Sequence, residues 1–229
     1  VGELRGCGTS SVRARRGVDF GYREHLVTDL PALFSCVRAR FESARVAVVG
    51  HSLGGHLATM YAGANPAAIE RIALLACGTS FYPSWEGSRK LAMLAMAALA
   101  RVVSTTIGHF PGRRFGFAGR EARRFMHEWA DLTTKGRFIV RGTDVDYDAG
   151  LANVALPLLA VSFEGDVFSP IAAADHLLGK MPRAVITRRH VRAEEIGARS
   201  LDHFRWAKHP VPIADLLVPW LLDREQPRG

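Results

Sequence analysis

Ser52 stands in the segment Gly50-His51-Ser52-Leu53-Gly54, a G-x-S-x-G spacing. A serine hydroxyl is a weak nucleophile until a neighbouring imidazole takes its proton, and the carbonyl it attacks needs hydrogen-bond donors for the oxygen that becomes negative. Both needs depend on where the chain holds the hydroxyl. Upstream, Val46-Ala47-Val48-Val49 is a short, uncharged, β-branched run, the pattern of a strand buried on both faces of a parallel sheet. Downstream, Leu57, Met60 and Tyr61 recur at helical spacing and Pro66 lies past the helix end. Strand, tight turn and helix together form a nucleophile elbow. Strained backbone at Ser52 pushes its hydroxyl clear of the sheet at the positive end of the helix, and small neighbours are expected at Gly50 and Gly54. The backbone N–H of Leu53 is left to donate to an oxyanion.

With this motif in this context, the chain resembles the α/β-hydrolase superfamily. The resemblance implies an α/β fold with a mostly parallel sheet, helices on both faces and a helical lid insertion, and a triad in the order Ser, acid, His. The acid should follow a later buried strand. Leu158 to Phe163, preceded by Pro157, is such a strand and runs into Glu164-Gly165-Asp166. Asp166, after the glycine turn, is the expected acid, with Glu164 the competitor. Asp144, Asp146 and Asp148 read as a solvated loop, and Asp175 falls within a helix of residues 171 to 181. The histidine should sit in a loop before the last helix. His203, in Ser200-Leu201-Asp202-His203-Phe204, precedes the helical face of Ile213, Leu216, Leu217, Trp220 and Leu221. Among the other histidines, His190 and His209 read as surface residues, His51 and His56 as structural ones beneath the elbow, and Asp202 as a neighbour of His203. The site set is thus Ser52, Asp166 and His203, with Leu53 in the oxyanion hole and no metal or cofactor.

The elements around this set fit one sizeable core. The chain has 229 residues, 48% of them hydrophobic, as suits a globular α/β domain. Cys7, Cys36 and Cys77 show neither paired spacing nor a metal pattern, which implies reduced thiols in a cytoplasmic protein. No secretory signal is evident. The apolar stretch Leu91 to Ala100 ends at Arg101 and is too short to span a bilayer. The net charge is +8, yet lysine occurs only at 90, 135, 180 and 208, an arginine-heavy skew that either a GC-rich coding sequence or selection for phosphate binding would produce. No nucleic-acid module accompanies the arginines. One concentration stands out, Arg113, Arg114, Arg120, Arg123 and Arg124. It reads as a solvated face or as an attraction for an anionic substrate or lipid surface.

Two regions complete the organisation. Leu4-Arg5-Gly6-Cys7-Gly8-Thr9-Ser10 resembles the arginine–glycine turn after the fourth strand of these hydrolases, and a helix from Asp29 and Pro31 is expected to turn Leu33, Phe34, Val37 and Phe41 inward. In that register the first strands and a second oxyanion donor are missing, and one edge of the sheet would be open. Between Ile72–Ala76 and the acid strand, residues 80 to 150 read as a largely helical lid, with a helix over 88–107 and Phe125, Trp129 and Leu132 on one face of another. The core is then 1–79 and 151–229. His109 to Phe117, Glu128-Trp129 and Leu201 to Phe204 are similar to bacterial predicted α/β hydrolases related to serine aminopeptidase-like and monoglyceride lipase-like enzymes. The resemblance implies the fold and the triad and no specificity. The residues taken together lead to the expectation of a cytoplasmic serine hydrolase, a carboxylesterase that cleaves an ester or related acyl bond through an acyl-enzyme on Ser52, with a small-molecule substrate held in an apolar, lidded acyl pocket. A peptidase or acyltransferase on the same triad, or an impaired binding domain, is the alternative.

Overall fold

The structure, a computed structural model, describes residues 2–115 and 119–223. Gly116 and Phe117, at the end of the His109 to Phe117 stretch, lie outside them. The chain order is α1 (Tyr22–Glu24), α2 (Leu30–Arg40), β1 (Ala47–His51), α3 (Leu53–Ala64), β2 (Arg71–Leu75), α4 (Gly87–Ile107), β3 (His109–Pro111), β4 (Arg120–Ala122), α5 (Arg123–Lys135), α6 (Tyr147–Gly150), β5 (Pro157–Phe163), α7 (Ile171–Leu178), β6 (Val185–Val191) and α8 (Pro210–Leu222). These divide into two compact units. One holds residues 1–44 and 81–148, the other 45–80 and 149–229. Residues 1–44 therefore group with the 81–148 segment, whereas the sequence reading set them with the sheet.

The 45–80 and 149–229 unit is built on four parallel strands in the order β1-β2-β5-β6. β2 is buried along its whole length, and β5 nearly so, because each has a strand on both sides and helices over its faces. β1 departs from the expectation of a strand buried on both faces. Among the described residues it pairs only with β2, and Val49 is 47% exposed. An edge strand with a neighbour on one side leaves its outer backbone and part of its side chains to solvent. The core beneath the site combines Ala73, Leu75, Val161 and Phe163 of the central strands with Leu201 and with Ile213, Leu217 and Trp220 of α8. Arg71 closes it at the far end, donating to the Trp220 carbonyl at 2.5 Å with its guanidinium 5.4 Å from the Trp220 ring.

The 1–44 and 81–148 unit centres on α4 packed along α5. The helix expected over 88–107 is α4, and it continues past Arg101, where the uninterrupted apolar run ends. α4 runs 21 residues, long and apolar enough to cross a membrane by length and composition alone. It continues through Arg101 because that guanidinium reaches the fully buried Asp131 of α5 at 2.7 Å. Burial works to raise the Asp131 carboxyl, but hydrogen bonds from Lys135, Arg101 and Arg141 outweigh it and hold the group below its ordinary value. A two-stranded antiparallel ribbon, β3 with β4, interrupts the helices. The helical periodicity around it gave no sign of this ribbon. Val37 in α2 and Phe41 just after it do not turn inward. They are 40% and 57% exposed, since α2 packs mainly on the turn before it.

Candidate active site

β1 delivers Ser52 to the carboxyl end of the sheet, where its N–H still donates to the Leu75 carbonyl of β2 at 3.1 Å. There the backbone turns sharply. Ser52 has φ 50° and ψ −117°, a region that costs a non-glycine residue about 1–3 kcal/mol and persists only where packing enforces it. The enforcement is local. A Cβ at Gly50 would lie 2.6 Å from the Gly55 nitrogen, and one at Gly55 would lie 2.5 Å from Cys77 Sγ. Gly54 behaves otherwise than the motif suggested, since a Cβ there meets nothing within 4 Å. The tight neighbours of the elbow are Gly50 and Gly55. α3 then begins at Leu53. As the first residue of a helix, its N–H has no intrahelical acceptor and lies at the positive end of the helix dipole.

Three side chains meet at this point. Ser52 Oγ lies 3.0 Å from His203 Nε2, and His203 Nδ1 lies 3.0 and 3.1 Å from the two Asp166 oxygens. Asp166 is reached through the turn after β5, which Gly165 permits with φ +78°. Its Oδ1 also accepts from the backbone N–H groups of Phe168 and Ser169, both at 2.9 Å. Four contacts fix the carboxylate, which fixes in turn the imidazole tautomer. Nδ1 carries the proton toward Asp166, and Nε2 is left to accept from the serine hydroxyl. His203 and Asp166 are both buried, so this bonding operates away from bulk water.

Glu164 takes another part. It is exposed, and its Oε2 accepts from the Ala193 N–H at 3.0 Å. Asp175 pairs with Arg188, and Asp146 and Asp148 pair with Arg137 at 2.9 and 3.3 Å. Asp202 caps the turn that carries His203, accepting from Phe204 and Arg205 N–H at 2.8 and 2.7 Å. His190 lies within β6 and bonds Ser162 Oγ. His56 donates from Nε2 to the Gly78 carbonyl at 2.9 Å, and full burial lowers its pKa to about 4, so it stays neutral. Burial likewise raises the Cys77 thiol, whose Sγ donates to the Ser52 carbonyl at 3.3 Å. It is a packing residue under the elbow and no nucleophile.

Sequence reasoning missed how His203 is held. The His203 carbonyl accepts from His51 Nε2 at 2.9 Å and from Trp206 Nε1 at 3.0 Å. The rings of Phe204, His51 and Phe168 surround the imidazole at centroid distances of 4.8, 4.8 and 5.4 Å. The spacing of His203 and Trp206 was the available signal, since an indole three residues on can reach back to a carbonyl. A cavity of about 320 Å³ in this unit is lined by Leu74, Cys77, Ser162, Ser169 and His190, among others, and by no member of the Ser52–His203–Asp166 chain. It gives no measure of an acyl group.

The chain matches the Alpha/beta hydrolase family over residues 3–227. It belongs to that family. The parallel sheet flanked by helices is this family's α/β-hydrolase fold. No curated protein matches the chain by sequence. Solved structures similar to this hydrolase-family chain include an N-acyl homoserine lactone degrading enzyme, 18% identical over 95% of this chain and 80% of that one, with a TM-score of 0.58. A monoacylglycerol lipase of Paleococcus ferrophilus is 14% identical, covering 95% and 81%, with a TM-score of 0.56. A structure from work on carboxylesterases of Nitrososphaera gargenis is 16% identical, covering 96% and 77%, with a TM-score of 0.51. At such identities the likeness is one of fold.

Proposed function

We propose that this chain is a serine hydrolase that cleaves a carboxylic ester through an acyl-enzyme on Ser52. The observation that carries the reading is the unbroken hydrogen-bonded chain from Ser52 Oγ through His203 to Asp166, with links of 3.0 Å on either side of the imidazole. As Ser52 attacks the acyl carbon, its proton passes to His203 Nε2. Asp166 stabilises the imidazolium without taking the proton. The developing oxyanion is met by the Leu53 N–H. His203 then returns the proton to the leaving oxygen, and a water activated by the same imidazole releases the acid. No metal or cofactor is required for any step. Esters are favoured over amides because the three similar structures named above are of a lactone-degrading enzyme, a monoacylglycerol lipase and a carboxylesterase. The free thiols of Cys7, Cys36 and Cys77 fit a reducing compartment such as the cytoplasm.

The test is hydrolysis of a panel of p-nitrophenyl esters from acetate to octanoate, set against aminoacyl p-nitroanilides. Ester turnover that disappears in Ser52→Ala, with the anilides inert, is the expected result. Turnover of the anilides alone would make the chain a peptidase. A folded chain inert toward both would make it a binding protein on a hydrolase fold.

A further inference from the structure

The arginine concentration picked out in the sequence divides in the structure. Arg123 pairs with Asp19 at 3.2 Å and Arg124 with Glu24 at 2.6 Å. Arg113, Arg114 and Arg120 form no ion pair among the described residues, and they line one cavity of about 380 Å³ together with Gly6, Arg13, Ala14, Pro111 and Gly119. Elsewhere in the same unit, Arg5, Arg101, Arg137 and Arg141 all reach carboxylates.

The backbone explains why the cavity stays positive. β3 and β4 pair with Pro111 opposite Arg120 and Phe110 opposite Glu121. Adjacent residues on a strand point to opposite faces, so Arg120 shares a face with Pro111 while Glu121 leaves the strand on the other. The Glu121 carboxylate accepts from the N–H of Gly119, at the cavity edge, at 3.0 Å, and burial pushes its pKa up toward the uncharged form. Across the cavity, Arg13 is held by the carbonyls of Gly6, at 2.8 Å, and Gly8. These are neutral acceptors, and the carboxylate that feels the Arg13 charge, Glu3, is itself engaged by Thr9. Guanidinium groups gathered with so little counter-charge repel one another, and an anion bound among them removes that cost.

We propose that this cavity is a binding site for a phosphate monoester. A carboxylate is satisfied by one guanidinium fork, whereas a phosphate monoester carries close to two negative charges and three terminal oxygens that several forks can share. The volume exceeds that of the bare anion and falls at the lower end of small-molecule sites. The buried Ala14 and the half-buried Pro111 offer apolar surface to the carbon portion of the ester. The same headgroup chemistry occurs on a soluble metabolite and on a phosphatidic acid surface. The site is independent of Ser52, so it stands or falls apart from the hydrolase reading.

The test uses the whole chain in two arms. Isothermal titration with glycerol 3-phosphate, against glycerol, reads the soluble source. Co-sedimentation with phosphatidic acid vesicles, against phosphatidylcholine vesicles, reads the lipid one. Each is repeated with Arg113→Gln/Arg120→Gln and with Arg38→Gln/Arg40→Gln, the latter removing the same charge from exposed positions on α2 outside the cavity. The expected result is saturable binding in at least one arm, weakened roughly a hundredfold by the cavity pair and less than about twofold by the α2 pair, at roughly tenfold for each lost guanidinium. Binding in the titration alone assigns a soluble ester, and vesicle binding alone a lipid headgroup. Equal losses in the two pairs, or no saturable binding in either arm by about 10 mM phosphate ester, would overturn the proposal.

Discussion

His51 Nε2 donates to the main-chain carbonyl of His203 at 2.9 Å, tying the residue before the nucleophile to the backbone of its base. Burial lowers the pKa of His51, and the charge of His203 adds to that effect. His51 is therefore neutral at neutral pH, able to donate without placing a second positive charge beside the imidazolium formed during turnover. With Trp206 on the same oxygen, the His203 backbone is held by two donors from different parts of the chain.

Removing that clamp should loosen the base without abolishing it. His51→Phe keeps the ring packing and loses the donor. In ester hydrolysis kcat should fall about ten- to a hundredfold, in line with the cost of misplacing a catalytic group, with KM little changed. His51→Gln, which can supply an N–H, should recover part of the loss. Full kcat in His51→Phe would mean that the clamp positions nothing.

The assignment of the acid separates Asp166 from Glu164 sharply. Asp166→Asn should lower kcat by about 10⁴-fold, since the amide donates toward His203 Nδ1 and imposes the wrong tautomer. Glu164→Ala should leave kcat unchanged and cost about 1 kcal/mol of stability, the bond to the Ala193 N–H being lost. Kinetics and urea unfolding on the two variants check both halves.

Glu128 predicts a pH dependence of stability in the 1–44 and 81–148 unit. It accepts from the N–H groups of Tyr22 and Arg141 at 2.7 and 2.8 Å, and burial pushes its pKa up from 4.5 to about 7 despite those bonds. Above pH 4.5 the unfolded chain releases this proton while the folded chain keeps it. Folding therefore takes up a proton, and stability falls as pH rises toward 7. The Glu128 contribution to the fall is up to about 3 kcal/mol. Denaturant unfolding from pH 4.5 to 7.5 should show a steeper decline in the parent than in Glu128→Gln. Parallel profiles would contradict the assignment.

Local sequence carried the elbow well. Small residues packed around a forced turn, a β-branched run before it and an apolar helix after it all express short-range constraints. Asp166 and His203 were placed by strand order and loop position, because a parallel sheet brings successive strand ends to one side. The unforeseen features depend on long-range pairing. Exposure of Val49 follows from β1 having one neighbour, and exposure of Val37 and Phe41 from what α2 does not touch. The β3–β4 ribbon is three residues per strand, too short for period-2 alternation to register. The true tight glycine, Gly55, was hidden because its constraint comes from Cys77, in a segment after β2.

The central claim is that Ser52 is the activated nucleophile, and labelling by a fluorophosphonate tests it most directly. Stoichiometric modification of the folded chain at Ser52 alone is the expected result. Labelling should vanish in Ser52→Ala and slow by orders of magnitude in His203→Ala, because an unassisted serine hydroxyl does not react at a useful rate. Label retained in Ser52→Ala, or an unlabelled parent whose fold is intact, would contradict it.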